Sequence, residues 1–336
     1  MCKGVNVFRR KFLCVYNITM SFPDNELFLE PKTNQYGSHM IMTNVNKPTK
    51  TKFINIDTKF RDEYNYNDGS YYNITLPERY KYNITMPERI TSVKTITVKS
   101  VEIPMTFYNI SANLGNNQIS ITNNSTNITS TITVPDGYYL SDGGATNSLI
   151  SAINSLLSGK YITFTNDNNN CKFTGTSTRT ANTYTVYTIS FPYQDKYTFK
   201  SSLGWILGFR VSSFTLIPEN PVIASCPILL SQPYPRYLYL SVDEYSKGVQ
   251  NSFVTPISNA FLTKNVLARV TLDPLGYPYG SVLIATDRNG LLVSDHRSYN
   301  GKVDLQKFNI QLFNETGMPI DLNGQDFSFC LEITYE

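Results

Sequence analysis

Apolar and polar positions alternate along several stretches of this chain, and the clearest comes last. Phe327, Phe329, Leu331, Ile333 and Tyr335 alternate with Ser328, Cys330, Glu332 and Thr334. A period of two puts one row of side chains on a buried face and the other on a wetter face, which predicts a strand. Leu238, Leu240 and Val242 alternate in the same way with Tyr237, Tyr239, Ser241 and Asp243. Val266, Ala268, Val270 and Leu272 alternate with Leu267, Arg269 and Thr271, and the first strand signal falls at Lys52 to Asp57. Chain ends are loose unless tied into a sheet. The last strand is therefore expected to be central, and loss of residues 327–336 to abolish soluble expression.

Two long stretches change face partway. Between Ser92 and Pro104 the apolar residues are Val93, then Ile96 and Val98, then Val101 and Ile103, so their parity flips twice. Between Val303 and Phe313 it flips once, after Leu305 and before Phe308, Ile310 and Leu312. A β-bulge, or a strand that crosses from one sheet to another, leaves this signature.

One segment has helical spacing. Leu149, Ile150, Ile153, Leu156 and Leu157 share a face and are followed by Gly159, which predicts an inserted amphipathic helix over about 146–158, capped by Thr146 or Ser141. Turns are marked by Gly115-Asn116-Asn117, Asn166 to Asn170, Asp287 to Gly290 and Gly317 to Pro319. Gly204-Trp205-Ile206-Leu207-Gly208 reads as a tight apolar turn that packs Trp205 and Phe209 into the core. A tandem repeat, Tyr72 to Arg79 and Tyr82 to Arg89, is offset by ten residues. Ten is even, so either copy can occupy a strand with the same facing; one is expected to pair in the sheet and the other to form an exposed loop.

Together these elements predict a mainly β chain: an antiparallel β-sandwich of jelly-roll type, with the inserted helix and an extended N-terminal arm. Residues 20–52, with Pro23, Pro31, Gly37 and Pro48 among polar neighbours, read as the arm, and residues 53–336 as the sandwich. The stretch from about 235 is read either as part of that sandwich or as a second β subdomain.

Composition supports the β reading. The chain carries 34 Asn and 65 Ser plus Thr, and only 16% of its residues are charged. Aromatic residues make up 13%, which excludes a disordered chain. The net charge of +3 is too small for a dedicated nucleic-acid binder, so no sequence-specific nucleic acid is expected. Charge is uneven: residues 1–61 hold ten Lys/Arg against four Asp/Glu, leaving nineteen against twenty-two for the rest. A basic arm on a slightly acidic body suits a docking element. No apolar run reaches the ~18 residues of a membrane span, so no transmembrane segment is expected. The five cysteines, Cys2, Cys14, Cys171, Cys226 and Cys330, are read as free thiols in a reducing compartment.

Chemistry is hard to find. His39 and His296, the only histidines, fall in the arm and in the polar turn Asp295-His296-Arg297. No cysteine or histidine pair has zinc-ligand spacing. Asp57, Asp62, Glu63, Asp243 and Glu244 are the carboxylates tested for a glycosidase pair, but spacing does not pair them. The chain is accordingly read as not an enzyme, with no catalytic residue, metal or cofactor.

Asn55-Ile56-Asp57-Thr58-Lys59-Phe60-Arg61-Asp62, Leu76-Pro77-Glu78-Arg79 and Val101-Glu102-Ile103-Pro104-Met105-Thr106-Phe107-Tyr108-Asn109-Ile110 follow one another along the chain. After them come Asn116-Asn117, Ile132-Thr133-Val134-Pro135-Asp136-Gly137-Tyr138-Tyr139, and finally Phe327-Ser328-Phe329-Cys330-Leu331-Glu332. Over about residues 30–336 these resemble virion proteins of giant nucleocytoplasmic large DNA viruses, in the mimivirus-like and algal-virus lineages, a group that includes minor capsid and penton-type jelly-roll proteins. The resemblance implies a structural virion protein, made and assembled in the host cytoplasm. Its partners would be other capsid proteins, including the major capsid protein, and further copies of itself as a homo-oligomer. It transfers no catalytic residue. Residues 1–19 do not share the resemblance, and Met20 is the expected initiator, which peptides upstream of Met20 in native material would refute. The arm, and tyrosines such as those of Tyr64 to Tyr82 and Tyr277 to Tyr279, are the expected contacts. A carbohydrate- or receptor-binding β module is the alternative reading, and a glycan hydrolase the third.

Overall fold

The computed structural model describes residues 48–62, 81–140, 147–176, 185–228, 235–245, 253 and 265–336. Contacts divide the chain into Met1–Pro48 and Thr49–Glu336, and the first of these, but for Pro48, lies outside the described residues. Residues 20–47 of the expected arm, the first copy of the tandem repeat, His39, Cys2, Cys14 and Glu63 lie outside them too.

The described strands are β1 (Lys50–Asp57), β2 (Tyr82–Pro104), β3 (Gln118–Asn123), β4 (Ile128–Thr133), β5 (Ile162–Asp167), β6 (Asn170–Gly175), β7 (Tyr187–Ser190) and β8 (Ser213–Leu216). They continue with β9 (Val222–Ile223), β10 (Tyr237–Asp243), β11 (Val266–Thr271), β12 (Val282–Thr286), β13 (Leu292–Ser294), β14 (His296–Phe313) and β15 (Ser328–Tyr335). Every pair among them is antiparallel. The chain is mainly β, with short helical pieces, as a β-sandwich of jelly-roll type requires.

The body is an eight-stranded sheet in the order β1-β15-β2-β14-β10-β11-β13, with β12 also on β2. All eight strands feed one hydrophobic cluster, and β10, β11 and β14 also supply a smaller one of Tyr239, Val266 and Phe313. The strands after residue 235 pair into this sheet rather than into one of their own. β15 lies between β1 and β2, and Phe329, Leu331 and Ile333 are fully buried. Burying three such side chains is worth about 1.5–3 kcal/mol each. Lys50 to Lys52, at the end of the expected arm, pair with Tyr335 to Ile333.

The parity flips are bulges. Opposite β15, Lys94 and Lys99 are the extra residues of β2, one in each gap where its alternation breaks. Both reach acids at that end of the chain: Lys94 pairs with Glu336 at 2.8 Å and Lys99 with Glu332 at 3.2 Å. On β14 the register shifts between Leu305 and Lys307, where its own parity changes. Each bulge turns a long strand while keeping its apolar row on the core.

Residues 110–228 leave the sheet between β2 and β10 and build a second core. Two small sheets, β4-β3-β7-β8 and β5-β6-β9, enclose it with a helix, α1 (Leu149–Leu156). Leu149, Ile153 and Leu157 are buried there, with Ile150 and Leu156 packed beside them. The cap of α1 is Ser148 rather than Thr146 or Ser141; its hydroxyl accepts from Ser151 N at 3.3 Å. Phe164, Phe173, Phe191, Phe209 and Phe214 form a ring cluster at the centre, with centroids 4.6 to 6.2 Å apart. The 204–208 turn is a short helix, Leu203–Ile206, and two glycines make it possible. A Cβ on Gly204 would meet the Phe191 ring at 2.2 Å, and one on Gly208 (φ +91°) the Cys226 carbonyl at 2.0 Å. Phe209 is buried as expected, but Trp205 is only half-buried, held between Arg210 (3.9 Å) and Phe199 (5.7 Å).

Candidate assembly surface

Among the described residues, motifs that carry the sequence resemblance meet in pairs. At one end of the sheet the 55–62 motif closes on the 327–332 motif. Thr58 N donates to Phe327 O at 3.0 Å, Phe327 N returns a bond to Thr58 Oγ1 at 3.0 Å, and the Thr58 hydroxyl donates to Asp326 at 3.1 Å. Arg61, 6% exposed, also donates to Asp326 and lies over the Tyr82 ring at 4.9 Å. Tyr82 is itself core, 5% exposed, so it is not available as a contact.

The second meeting point is the neck between the two cores. Asn109 copies a strand pairing with its side chain: its Nδ2 donates to Tyr139 O and its Oδ1 accepts from Tyr139 N, both at 2.8 Å. Asn116, 1% exposed, does the same for Asn109 O and Ser111 N, again at 2.8 Å each. Asp136 accepts from Ala112 N at 2.8 Å, and a backbone bridge joins Ile110 to Gly137. Buried polar groups of this kind are costly unless paired, so the network holds the insertion to the sheet in one arrangement. Tyr138 then stacks on Tyr279 at 4.7 Å, tying the neck to the turn before β12.

That turn is fixed to the end of β2, since Met105 N donates to Ser281 O and Gly280 N to Met105 O. It leads into an unusually apolar stretch of surface. Leu275 is 78% exposed, Tyr279 43%, Val282 52% and Ile284 48%, all within ten residues. On β12, Leu283 and Ala285 fill the core while Val282 and Ile284 point away from it. Single exposed apolar residues are ordinary, and four within ten residues is a local excess.

Beside the neck lies a cleft of about 400 Å³, lined by Phe107, Tyr138, Arg236, Tyr237, Arg269 and Leu272, among others. The Arg269 guanidinium lies over the Tyr237 ring at 4.2 Å and donates to the Thr271 hydroxyl at 3.3 Å. Arg236, at the mouth, pairs with Glu315 at 3.5 Å. Burial, more than the neighbouring Tyr237, pushes the nearby Tyr239 hydroxyl up to about 12.

A buried charge cluster closes the β10–β11 connection. Arg297, 1% exposed, donates to Glu244 at 2.6 Å, to Val242 O at 2.9 Å and to Asn265 O at 3.0 Å. The Tyr299 hydroxyl donates to the other Glu244 oxygen at 2.8 Å, and burial with that carboxylate raises its pKa. Val242 and Asn265 flank the connection, so one guanidinium fastens both of its stems. The sequence placed His296 and Arg297 in a polar turn; both belong to β14, where Arg297 and Tyr299 take the inward alternate positions. That Arg-x-Tyr alternation was the available signal.

The other tested carboxylates among the described residues hold backbone and hydroxyl groups in place. Asp57 accepts from Lys59 N at 3.0 Å, Asp62 from Thr85 N at 3.1 Å and its hydroxyl at 2.6 Å, and Asp243 from Tyr245 N at 2.8 Å. His296 is exposed and meets the Thr97 hydroxyl at 2.9 Å. Cys171, Cys226 and Cys330 are free thiols, and burial pushes Cys171 up to about 12. Among the described residues no His, Cys, Asp and Glu side chains gather in a metal-binding group, and no helix is long and apolar enough to cross a membrane.

No protein-family model and no curated protein matches the chain. Solved structures do. It is similar to the mavirus penton protein, at 11% identity and a TM-score of 0.35, over 75% of this chain and 97% of that one. It is also similar to a chain in the 3.5 Å cryo-electron microscopy structure of the Sputnik virophage, at 12% identity and a TM-score of 0.38, over 86% of this chain and 98% of that one.

Proposed function

We propose that this chain is a structural virion protein, a minor capsid or penton-type component that assembles with other capsid proteins and with copies of itself. The observation that carries the reading is the exposed apolar group Leu275, Tyr279, Val282 and Ile284, set on a turn and strand tied to Tyr138 of the neck and to Met105 after β2. A pre-ordered apolar surface loses little entropy on association, which suits a subunit that must meet its neighbours in one orientation. The described motifs resembling giant-virus virion proteins supply the Thr58–Asp326 contact and the neck, which supports their role in maintaining the shape on which such contacts depend.

Native mass spectrometry of the full chain over a range of concentrations, alone and with a cognate major capsid protein, tests the reading. A pentamer supports a place at a fivefold vertex, and a trimer one in the capsomer lattice. Ile284→Asp should lower the oligomeric fraction at least tenfold without lowering the melting temperature. A strict monomer that ignores the major capsid protein, coupled with a positive glycan-array signal, would replace this reading with a carbohydrate-binding one.

A further inference from the structure

We propose that the cleft beside the neck receives an extended, acidic segment of a partner polypeptide, with the segment's carboxylate on Arg269. The proposal takes its partner class from the assembly reading above, while the chemistry of the cleft stands on its own residues.

Arg269 sits on β11, opposite Tyr239 on one side and Val293 on the other. It is half-buried, its guanidinium face rests on Tyr237, and Thr271 takes a single bond from Nη1. Among the described residues, no carboxylate forms an ion pair with it. A guanidinium presents five donors in a planar fork that matches a carboxylate two at a time, and stacking on Tyr237 fixes the plane of that fork. Arg236, three residues from Tyr239, adds a second positive charge at the mouth, offset in part by Glu315. The cleft is thus locally basic on a body whose residues 62–336 carry nineteen Lys/Arg against twenty-two Asp/Glu. Charge complementarity selects an acidic occupant, and steers it.

The walls select the rest of the ligand. Phe107, Tyr138, Tyr237 and Leu272 are apolar or aromatic, and Met105, Pro235 and Pro274 complete the apolar lining. A space of about 400 Å³ takes a few residues of peptide, not a folded domain. The occupant is therefore a segment with one Asp or Glu between apolar neighbours, anchored by aromatic and arginine groups as the centres of protein interfaces are.

Selection of a phage-displayed random 12-residue peptide library on the full chain tests this. Enriched sequences should share one acidic position flanked by apolar residues. The best of them, labelled with fluorescein, should bind at least tenfold more weakly to Arg269→Met than to the unaltered chain, and Arg288→Met should bind as the unaltered chain does. Replacing the acidic residue of the peptide by its amide should cost the same factor, which keeps the test valid if Arg269→Met fails to fold. A consensus without an acidic position, or affinity indifferent to both changes, overturns the proposal. So does Arg269-dependent binding of sialylated glycans with no peptide selected. A chain that oligomerises but selects no acidic consensus loses only this inference; one that selects it but never assembles loses only the assembly reading.

Discussion

The two cores of this chain are built by different means. The sheet core is largely aliphatic, and its strands come from both ends of the described sequence: β1 pairs with β15, residue 50 with residue 335. The insertion core is centred on five phenylalanines, and its two sheets are built on local hairpins, Gln118 with Thr133 and Ile162 with Gly175, which β7 and β9 then join. Closing a long loop before any contact forms is slow, whereas local hairpins form early. The sheet therefore depends on its ends meeting, and the insertion on its turns. The hairpin between β5 and β6 shows the second dependence: Asn168 and Asn169 both take positive φ, 49° and 66°, in a two-residue turn that asparagine tolerates.

The largest effect that would break this contrast is truncation. Removing residues 327–336 deletes the partner of both β1 and one edge of β2, and should abolish soluble expression; soluble, cooperatively melting material would show that β15 is dispensable. Next comes Arg297→Met, which leaves Glu244 buried without its cation. A loss of about 3–5 kcal/mol is expected in chemical denaturation, with partial recovery in the Arg297→Met, Glu244→Gln double variant. A loss under about 1 kcal/mol would mean that the cluster is hydrated. Phe173→Ala empties the centre of the insertion and should cost about 3–5 kcal/mol, with the melting of the two cores coming apart if they are energetically separate. If the transition stays single by circular dichroism and tyrosine fluorescence, the neck couples them. Ser148→Ala removes only the cap of α1, at about 1 kcal/mol.

The smallest effect concerns pH. Burial raises the Cys171 thiol from 9.0 to about 12, so above pH 9 the unfolded chain releases a proton that the folded chain keeps. Stability should fall as pH rises through that window. The buried Tyr239 and Tyr299 hydroxyls lower stability in the same way at somewhat higher pH. Cys171→Val should therefore lessen rather than abolish the fall in melting temperature, most visibly between pH 9 and 10, and an unchanged slope there would remove Cys171 as a source.

Much of this was legible in the residues. Period two placed β15, β10 and β11, and the broken parity of 92–104 located both lysine bulges, because a strand can turn its apolar row back to the core only by adding a residue. The helix was found from its spacing, but its cap was not, since Thr146, Ser148 and Ser141 offer the same hydroxyl chemistry and only the backbone decides which reaches a free N–H. Trp205 looked like core because its neighbours are apolar, yet Arg210 gave it a stable place at the surface.

The residues alone fixed the class of fold, the facing of the strands with clear period two and turns such as Asn166 to Asn170, since these follow from side-chain period and from Asn, Gly and Pro chemistry within a few residues. Tertiary structure alone decided which strands are neighbours, that the 110–228 segment forms its own core, and that Arg269 and Arg297 differ in role. Arg297 closes on Glu244 from fifty-three residues away, while Arg269 faces a cleft assembled from the segment after β2, the neck, the start of β10 and β11. Both are arginines at alternating positions in a strand, and what separates them is which charge the fold brings within a few ångströms, where electrostatic energy is decided.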